Sequence, residues 1–298
     1  MATTLERTRI EPRVARVRAR PPGVRRHRLT RAALYVILTS LGVVAALPFV
    51  WMILSSFKEA AEIRQIPPTF WPKTGTLDNY RTIFEDPELP LLTFYRNSAF
   101  IAVMNTIATL FTGSLLGYVF AKFRFWGRQP LFWFVLATMM IPTQVTMLPG
   151  YLILLQLHLL NNLWGLIVPS VIDAFAVFVM RQFILSIPND EIYSARVDGA
   201  SEWRIYRSIV LPQLRAPLAT LGMLTFMFNW NAYLWPLIVL TEQNKRTLPI
   251  ILTWYSDQHS AQLNLVMAAS VLIVIPVLIV FAFSQKWIVR GLTLTGTR

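Results

Sequence analysis

Apolar and polar residues alternate along this chain in blocks far longer than any strand or amphipathic helix requires. Six blocks, at 34–57, 98–120, 131–155, 163–185, 216–240 and 263–287, are apolar on every face. A hydrocarbon core about 30 Å thick needs roughly 20 such residues in a helix, so each block predicts a membrane-spanning helix. The predicted fold class is all-α, a polytopic membrane helical bundle of six spans. Residues 156–162 make only a short connection between the third and fourth blocks, and Pro142, Pro149 and Pro169 predict kinks there. Such kinks are tolerated where neighbouring helices re-pair the freed carbonyls.

Polar segments divide the chain into a tail (1–31), a first span with its loop (32–95), a core (96–287) and a second tail (288–298). The 58–95 loop is rich in proline and aromatics and predicts an ordered cap, with a short helix at 77–84 that Asp78 could cap. Residues 189–212 read NDEIYSARVDGASEWRIYRSIVLP, too polar to span and too patterned for a linker. Pro188 stops the preceding helix and Asn189 or Asp190 can cap a new one. Gly199 interrupts it, and Asp198 can cap a second helix whose Trp203, Tyr206 and Val210 share one face. Periodicity alone leaves two readings open, a partner-binding helical hairpin or a helix lying in the headgroups.

Composition agrees with the blocks. Of 298 residues 55% are hydrophobic and only 14% charged, where a soluble domain carries about 25% charged; the mean hydropathy is +0.49. The net charge of +13 is concentrated in the first thirty-one residues, where ten arginines accompany only Glu6 and Glu11. Beside an apolar span that pattern signals orientation or anionic lipid rather than nucleic acid. The first apolar run is too long for a cleavable leader and is expected to remain as span one. Lysine and arginine fall in the N-terminal tail, the 122–128 loop, the 189–215 segment and the C-terminal tail. The 55–96 segment balances five bases against six acids. Both termini and the 189–212 loop are therefore expected in the cytoplasm.

Several chemistries are excluded or unsupported. Cysteine is absent, and His27, His158 and His259 share no ligand spacing, so no metal site is expected. No phosphate-binding Gly-x-x-x-x-Gly-Lys-Ser/Thr loop is present, so the chain itself does not hydrolyse ATP. Polar residues inside spans are the candidates for a solute path. Asn229, Trp230, Asn231 and Tyr233 combine amides with rings, as sugar recognition needs, although interhelical hydrogen bonding explains them equally simply. Asp173, a further candidate on that path, is the single acid inside a span, either a proton or ion site or a paired structural group near the outer end of span four.

The run Asp198-Gly199-Ala200, ten further residues, then Leu211-Pro212 resembles the cytoplasmic loop of binding-protein-dependent ABC importer permeases. Ser55-Ser56-Phe57-Lys58, Thr76-Leu77-Asp78-Asn79-Tyr80, Arg96-Asn97-Ser98, the 121–128 run, Arg181-Gln182-Phe183 and Phe228-Asn229-Trp230-Asn231 extend the resemblance to the carbohydrate, maltose-like branch. Tyr193 and Ser194, ahead of Ala195, stand where that family has Glu and Ala, and Ala232 where it often has an acid. The resemblance implies a type I ABC importer permease architecture and a non-catalytic subunit in the bacterial or archaeal inner membrane. Its implied partners are a second homologous permease, two ATP-binding subunits that hold ATP and Mg, an extracytoplasmic solute-binding protein and lipid. Residues Tyr193, Ser194, Ala195, Asp198, Gly199, Ala200, Leu211 and Pro212 would couple to the ATPase, with Gly199 permitting close backbone approach. A sugar is the implied solute, with a polyol or glycerol phosphate as the alternative. An ion-coupled secondary transporter is the reading from a different class, and it calls for more intramembrane charge than this chain has.

Overall fold

The computed structural model describes residues 24–257 and 262–293; the arginine-rich start, His259 and the tail beyond Thr293 lie outside the described residues. The chain divides into two units, residues 1–50 and 51–298. In chain order the helices are α1 (Val24–Ser55), α2 (Ala60–Ile63), α3 (Asp78–Glu85), α4 (Leu91–Lys122), α5 (Arg128–Thr138), α6 (Thr143–Gln156), α7 (Trp164–Ile167), α8 (Ala174–Leu185), α9 (Asn189–Val197), α10 (Glu202–Ile205), α11 (Leu211–Gln213), α12 (Arg215–Trp230), α13 (Leu234–Val239), α14 (Ile251–Asp257) and α15 (Leu263–Thr293). Among the described residues there is no strand. In the first unit, every residue from 31 to 50 is exposed and nearly all are apolar, as a lipid-facing helix requires.

Among the described residues three helices are long and apolar enough to cross a membrane unbroken, within α1, α4 and α15. Two further blocks are bent helix pairs, with breaks near Pro142 and Pro169 where kinks were expected, and a third is a helix broken before the end of its block. Block 131–155 is α5 and α6, set at 98°. Pro142 lacks an amide proton and disfavours helical backbone at Ile141, so the break falls there. Pro149, by contrast, sits inside α6 without interrupting it. Block 163–185 is α7 with a 3₁₀ turn at Val168–Ser170, then α8, bent by 43°. Block 216–240 is the 16-residue α12, a break at 231–233, and the short α13.

Helix α4 is the central post of the second unit, with α8 and α12 packed along it and α15 against α12. The α4–α8 seam is made by Gly113 and Gly117. A Cβ placed on Gly113 would fall 2.7 Å from the Ala176 Cβ, and one on Gly117 would fall 2.8 Å from the Met180 Cβ. Small residues four apart let two backbones approach this closely. Among the described residues two large apolar cores result, beside two smaller clusters around Leu154 and Phe132. One, around Phe94, Trp230, Leu248 and Leu265, lies toward the Leu91 end of α4. The other, around Tyr118, Met180, Ile205 and Val210, lies toward its Lys122 end.

The 58–95 loop is ordered by buried polar side chains. Asn79 donates to the carbonyls of Ser56 and Lys58, both at 2.8 Å, and accepts from Asn264 at 2.7 Å. Lys58 is 1% exposed; its Nζ donates to the Thr69 carbonyl and lies 4.4 Å from the centre of the Trp51 ring. The short helix is present as α3, but Asp78 occupies its first turn instead of capping it, and the Asp78 amide donates to Thr76 Oγ1 at 3.1 Å.

Candidate functional site

Residues 189–214 form a helical hairpin held against the Lys122 end of α4. Pro188, in extended conformation, ends the preceding turn and starts α9. Asn189 does not cap α9, contrary to expectation. Its Oδ1 instead accepts from Lys122 Nζ at 2.8 Å, and the same ammonium donates to the Ile187 carbonyl at 2.6 Å. Asp190 and Glu191 occupy the first turn, where the helix dipole favours acids.

The Asp-Gly-Ala signature is a helix stop. Asp198 is the C-cap of α9, and Gly199 follows at φ +78°, in the left-handed region open to glycine at little cost. The Gly199 amide donates to Arg196 O at 3.0 Å and the Ala200 amide to Ala195 O at 2.9 Å. This is the Schellman pairing, which satisfies two of the last carbonyls of α9. It also explains why alanines stand at 195 and 200, where both pack partly buried against the second core. A Cβ at Gly199 would meet nothing within 4 Å, so within this chain the glycine serves backbone conformation rather than close approach. Asp198 does not cap the second helix either. Ser201 does, its Oγ accepting from the Arg204 amide at 3.3 Å.

Past α10 the backbone widens into a π turn over Tyr206–Val210, with Leu211 N–H pairing to Tyr206 O. Pro212 cannot donate in the ordinary i−4 pattern, and the extra residue in the turn accommodates it. The widened turn breaks the predicted face. Tyr206 and Val210 are buried, whereas Trp203 is 54% exposed and rests on the Tyr206 ring with centroids 5.4 Å apart. Leu211 and Pro212 are half-buried and lead into α12 through a 79° bend.

Sequence reasoning missed the polar lock of this hairpin. Glu202 accepts from Arg196 through both oxygens, at 2.6 and 3.2 Å, and from the Tyr118 hydroxyl of α4 at 2.7 Å. The Arg196 hydrogen bond holds the Glu202 carboxyl below its ordinary pKa, and Glu202 reciprocally raises that of Arg196. Ser114 and Tyr206 hydroxyls pair at 2.8 Å inside the second core, and Gln213 donates to Glu191 at 2.8 Å. The opposite, outward side presents Tyr193, Ser194, Asp198 and Val197, the last 89% exposed; with Asp190 they line a shallow cleft of about 410 Å³. Nothing local in the sequence tied Tyr118 to Glu202, 84 positions apart; the only signal was an acid beside a capping serine.

The candidate path residues separate. Asn229 accepts from Asn105 Nδ2 at 2.7 Å and donates to Thr225 O at 2.8 Å, the interhelical amide pairing weighed above. Trp230 is 3% exposed, donates to Ile273 O at 3.0 Å and stacks on Phe226, so its ring faces are covered. Asn231 and Tyr233 are exposed at the break between α12 and α13, Tyr233 paired with Thr253 at 2.8 Å. Asp173 caps α8, its Oδ1 accepting from the Ala176 amide at 2.6 Å. Among the described residues no group of three metal-ligating side chains gathers.

Long apolar helices, broken spans at membrane depth and a rigid polar hairpin at one end define the class: a multi-pass transport protein. Residues 113–294 match the model of the binding-protein-dependent transport system inner membrane component, and the chain belongs to that family. It is 34% identical to the arabinooligosaccharides transport system permease AraQ of Halalkalibacterium halodurans, over 86% of this chain and 92% of that one. It is 32% identical to the lactose transport system permease LacG of Rhizobium radiobacter (90% and 96% covered). Identity to the sn-glycerol-3-phosphate permease UgpE of Salmonella typhi is 34% (76% and 83%). A bacterial ABC transporter that imports the acidic polysaccharide alginate superposes with a TM-score of 0.76 at 26% identity, covering 88% of this chain and 97% of that one.

Proposed function

We propose that this chain is one half of the translocation pathway of an ATP-driven importer for a sugar or closely related solute, and that residues 189–212 couple it to a separate ATPase. The observation that carries the coupling role is the two-sided hairpin. Its inner side is locked to α4 by Tyr118, Ser114 and Lys122, while its outer side leaves Tyr193, Ser194, Val197 and Asp198 exposed, with the Arg196 guanidinium 5.7 Å from the centre of the Tyr193 ring. A body so braced moves as a unit, and an apolar side chain as exposed as Val197 fits a cleft on another protein. The lysine and arginine bias supports a cytoplasmic position for the hairpin and both termini. The remaining partners are a second, similar permease forming a heterodimer, two ATP-binding subunits carrying ATP and Mg, and an extracytoplasmic solute-binding protein. An alginate importer of this fold has been crystallised with a periplasmic protein that carries the polysaccharide, which supports the last of these.

Asn231 and Tyr233, exposed at the α12–α13 break, are the residues of the aromatic–amide group free to meet a solute. The names of the relatives favour a neutral saccharide, with glycerol phosphate as the second reading. Family membership removes the support for ion-coupled secondary transport. The test is a Val197→Asp substitution in the assembled complex. ATPase subunits should co-purify less and solute-stimulated ATP hydrolysis should fall, with membrane insertion unchanged. Full ATPase retention and full stimulation would overturn the coupling role.

A further inference from the structure

Asp173 is placed where a carboxylate is hardest to justify. The break before α8 packs beside the middle of α4: Thr109 Oγ1 donates to Ser170 O at 3.4 Å, and the Thr112 hydroxyl donates to Val171 O. Thr112 precedes Lys122 by ten residues, about 15 Å of helix rise. In a hydrocarbon core about 30 Å thick, the break therefore lies near the midplane. The other charged residues in the six apolar blocks are Arg181, one turn from the far end of α8, and Lys286, at the end of the last block, so Asp173 is the only acid among them. An acid at that depth in lipid costs about 2.5–3.5 kcal/mol on the insertion scale.

Capping does not require that charge. Only Oδ1 is used, on the Ala176 amide, and serine or asparagine caps as well. Among the described residues no cation and no second donor reaches Asp173, and its side chain is exposed, as is that of Ile172 at 64%. The threonines of α4 have already satisfied the carbonyls on the inner side of the break. What remains faces away from the protein, and irregular backbone at membrane depth is tolerated only inside protein or beside water.

From these placements we infer that Asp173 faces the aqueous translocation pathway near the bilayer midplane and is a specificity-determining residue. It favours neutral or cationic hydroxylated solutes over uronates and phosphate esters. This rests on the importer reading and narrows it: relatives at similar distance carry both kinds of solute, and a fixed negative charge in a narrow low-dielectric passage repels an anion. The free Oδ2 is at the same time an acceptor for a solute hydroxyl.

The absence of cysteine gives a direct test. In vesicles containing the complete importer, Ile172→Cys is made with Asp173 intact and with Asp173→Asn, which keeps the cap. Labelling of this chain by trimethylammonioethyl and sulfonatoethyl methanethiosulfonates is then compared, each rate normalised to a free thiol. With Asp173 intact, Cys-substituted position 172 should react with the cationic reagent about five- to tenfold faster than with the anionic one, as a charge within several ångströms dictates. Asp173→Asn should reduce that ratio at least about threefold. Two results overturn the inference: no labelling at 172 while Gly75→Cys in the exposed 58–95 loop labels readily, or a charge ratio indifferent to Asp173→Asn. ATP-dependent uptake by the unsubstituted complex with its own binding protein is measured in the same vesicles. No charge bias with Asp173 intact, with uptake present, rejects only the role of Asp173; absent uptake rejects the importer reading.

Discussion

Valine at position 117 should separate the two helices on which the hairpin is mounted. Its Cβ alone would fall 2.8 Å from the Met180 Cβ, 2.9 Å from the Arg181 nitrogen and 3.1 Å from the Met180 carbonyl carbon. Comfortable carbon contacts are about 3.5–4.0 Å, so α8 must retreat by about 1 Å. Two of the three obstacles are backbone atoms, and no change of rotamer relieves them. The retreat lengthens the Arg181 Nε to Phe120 O hydrogen bond, already 3.3 Å, beyond useful range. Overpacking contributes about 1–3 kcal/mol and the lost bond about 1, giving roughly 2–4 kcal/mol of destabilisation. For a chain of this size that lowers a thermal midpoint by about 5–10 °C. The assay is thermal unfolding of the purified complex in detergent, monitored by retention of the monodisperse peak. Gly42→Val is the control, since a Cβ at Gly42 meets nothing within 4 Å. A Gly117→Val midpoint within about 1 °C of the unsubstituted protein would refute the close-packed seam.

Two further outcomes follow from the polar contacts. Glu202 has a folded-state pKa below the ordinary 4.5, so its contribution is fully present above that value and is lost as pH falls through the lowered one. Glu202→Gln should therefore lower the thermal midpoint at pH 7, by no more than about 1 kcal/mol because the pair is partly exposed. The gap from the unsubstituted protein should close as pH falls through that lowered pKa, and a gap that persists in stronger acid would contradict the ionic origin. For the amide pair, a double-mutant cycle of Asn105→Ala and Asn229→Ala should return a coupling of about 0.6–1.7 kcal/mol. Strict additivity would mean the 2.7 Å contact contributes nothing to stability.

What could be read from the sequence was set by the range of the interactions. Block hydropathy located the six apolar segments, because burial in lipid is a property of the whole run. The breaks at 139–142 and 231–233 were less legible: a proline predicts loss of one hydrogen bond, but whether the helix bends depends on which neighbour re-pairs the carbonyl. Pro142 stands at the start of α6 and Pro149 inside it, and the local sequence alone does not distinguish them. The caps at Asn189 and Asp198 were misassigned for a related reason. Local competition among several good capping residues is decided by tertiary partners, Lys122 for Asn189 and the Schellman turn for Asp198. The Gly-Ser-Leu-Leu-Gly run of α4 was readable in principle as a helix-packing motif. Its partner, Ala176 through Arg181, was not.

These elements connect the two ends of α8. One end enters the hairpin through Ile187 and Pro188, braced by Lys122; the other begins at the Asp173 cap beside an irregular backbone segment. Between them the seam against α4 is formed largely by glycine on one side, so α8 meets a smooth surface over about two turns. A rigid helix of 12 residues, about 18 Å long, carries a displacement of the hairpin undiminished to its other end. There the chain is not helical, the Thr109 and Thr112 hydroxyls hold the last carbonyls, and the backbone can absorb a change in angle. On the proposed coupling role, the hairpin and the Asp173 cap lie at the two ends of one helix, and a valine at 117 obstructs its seam near its centre.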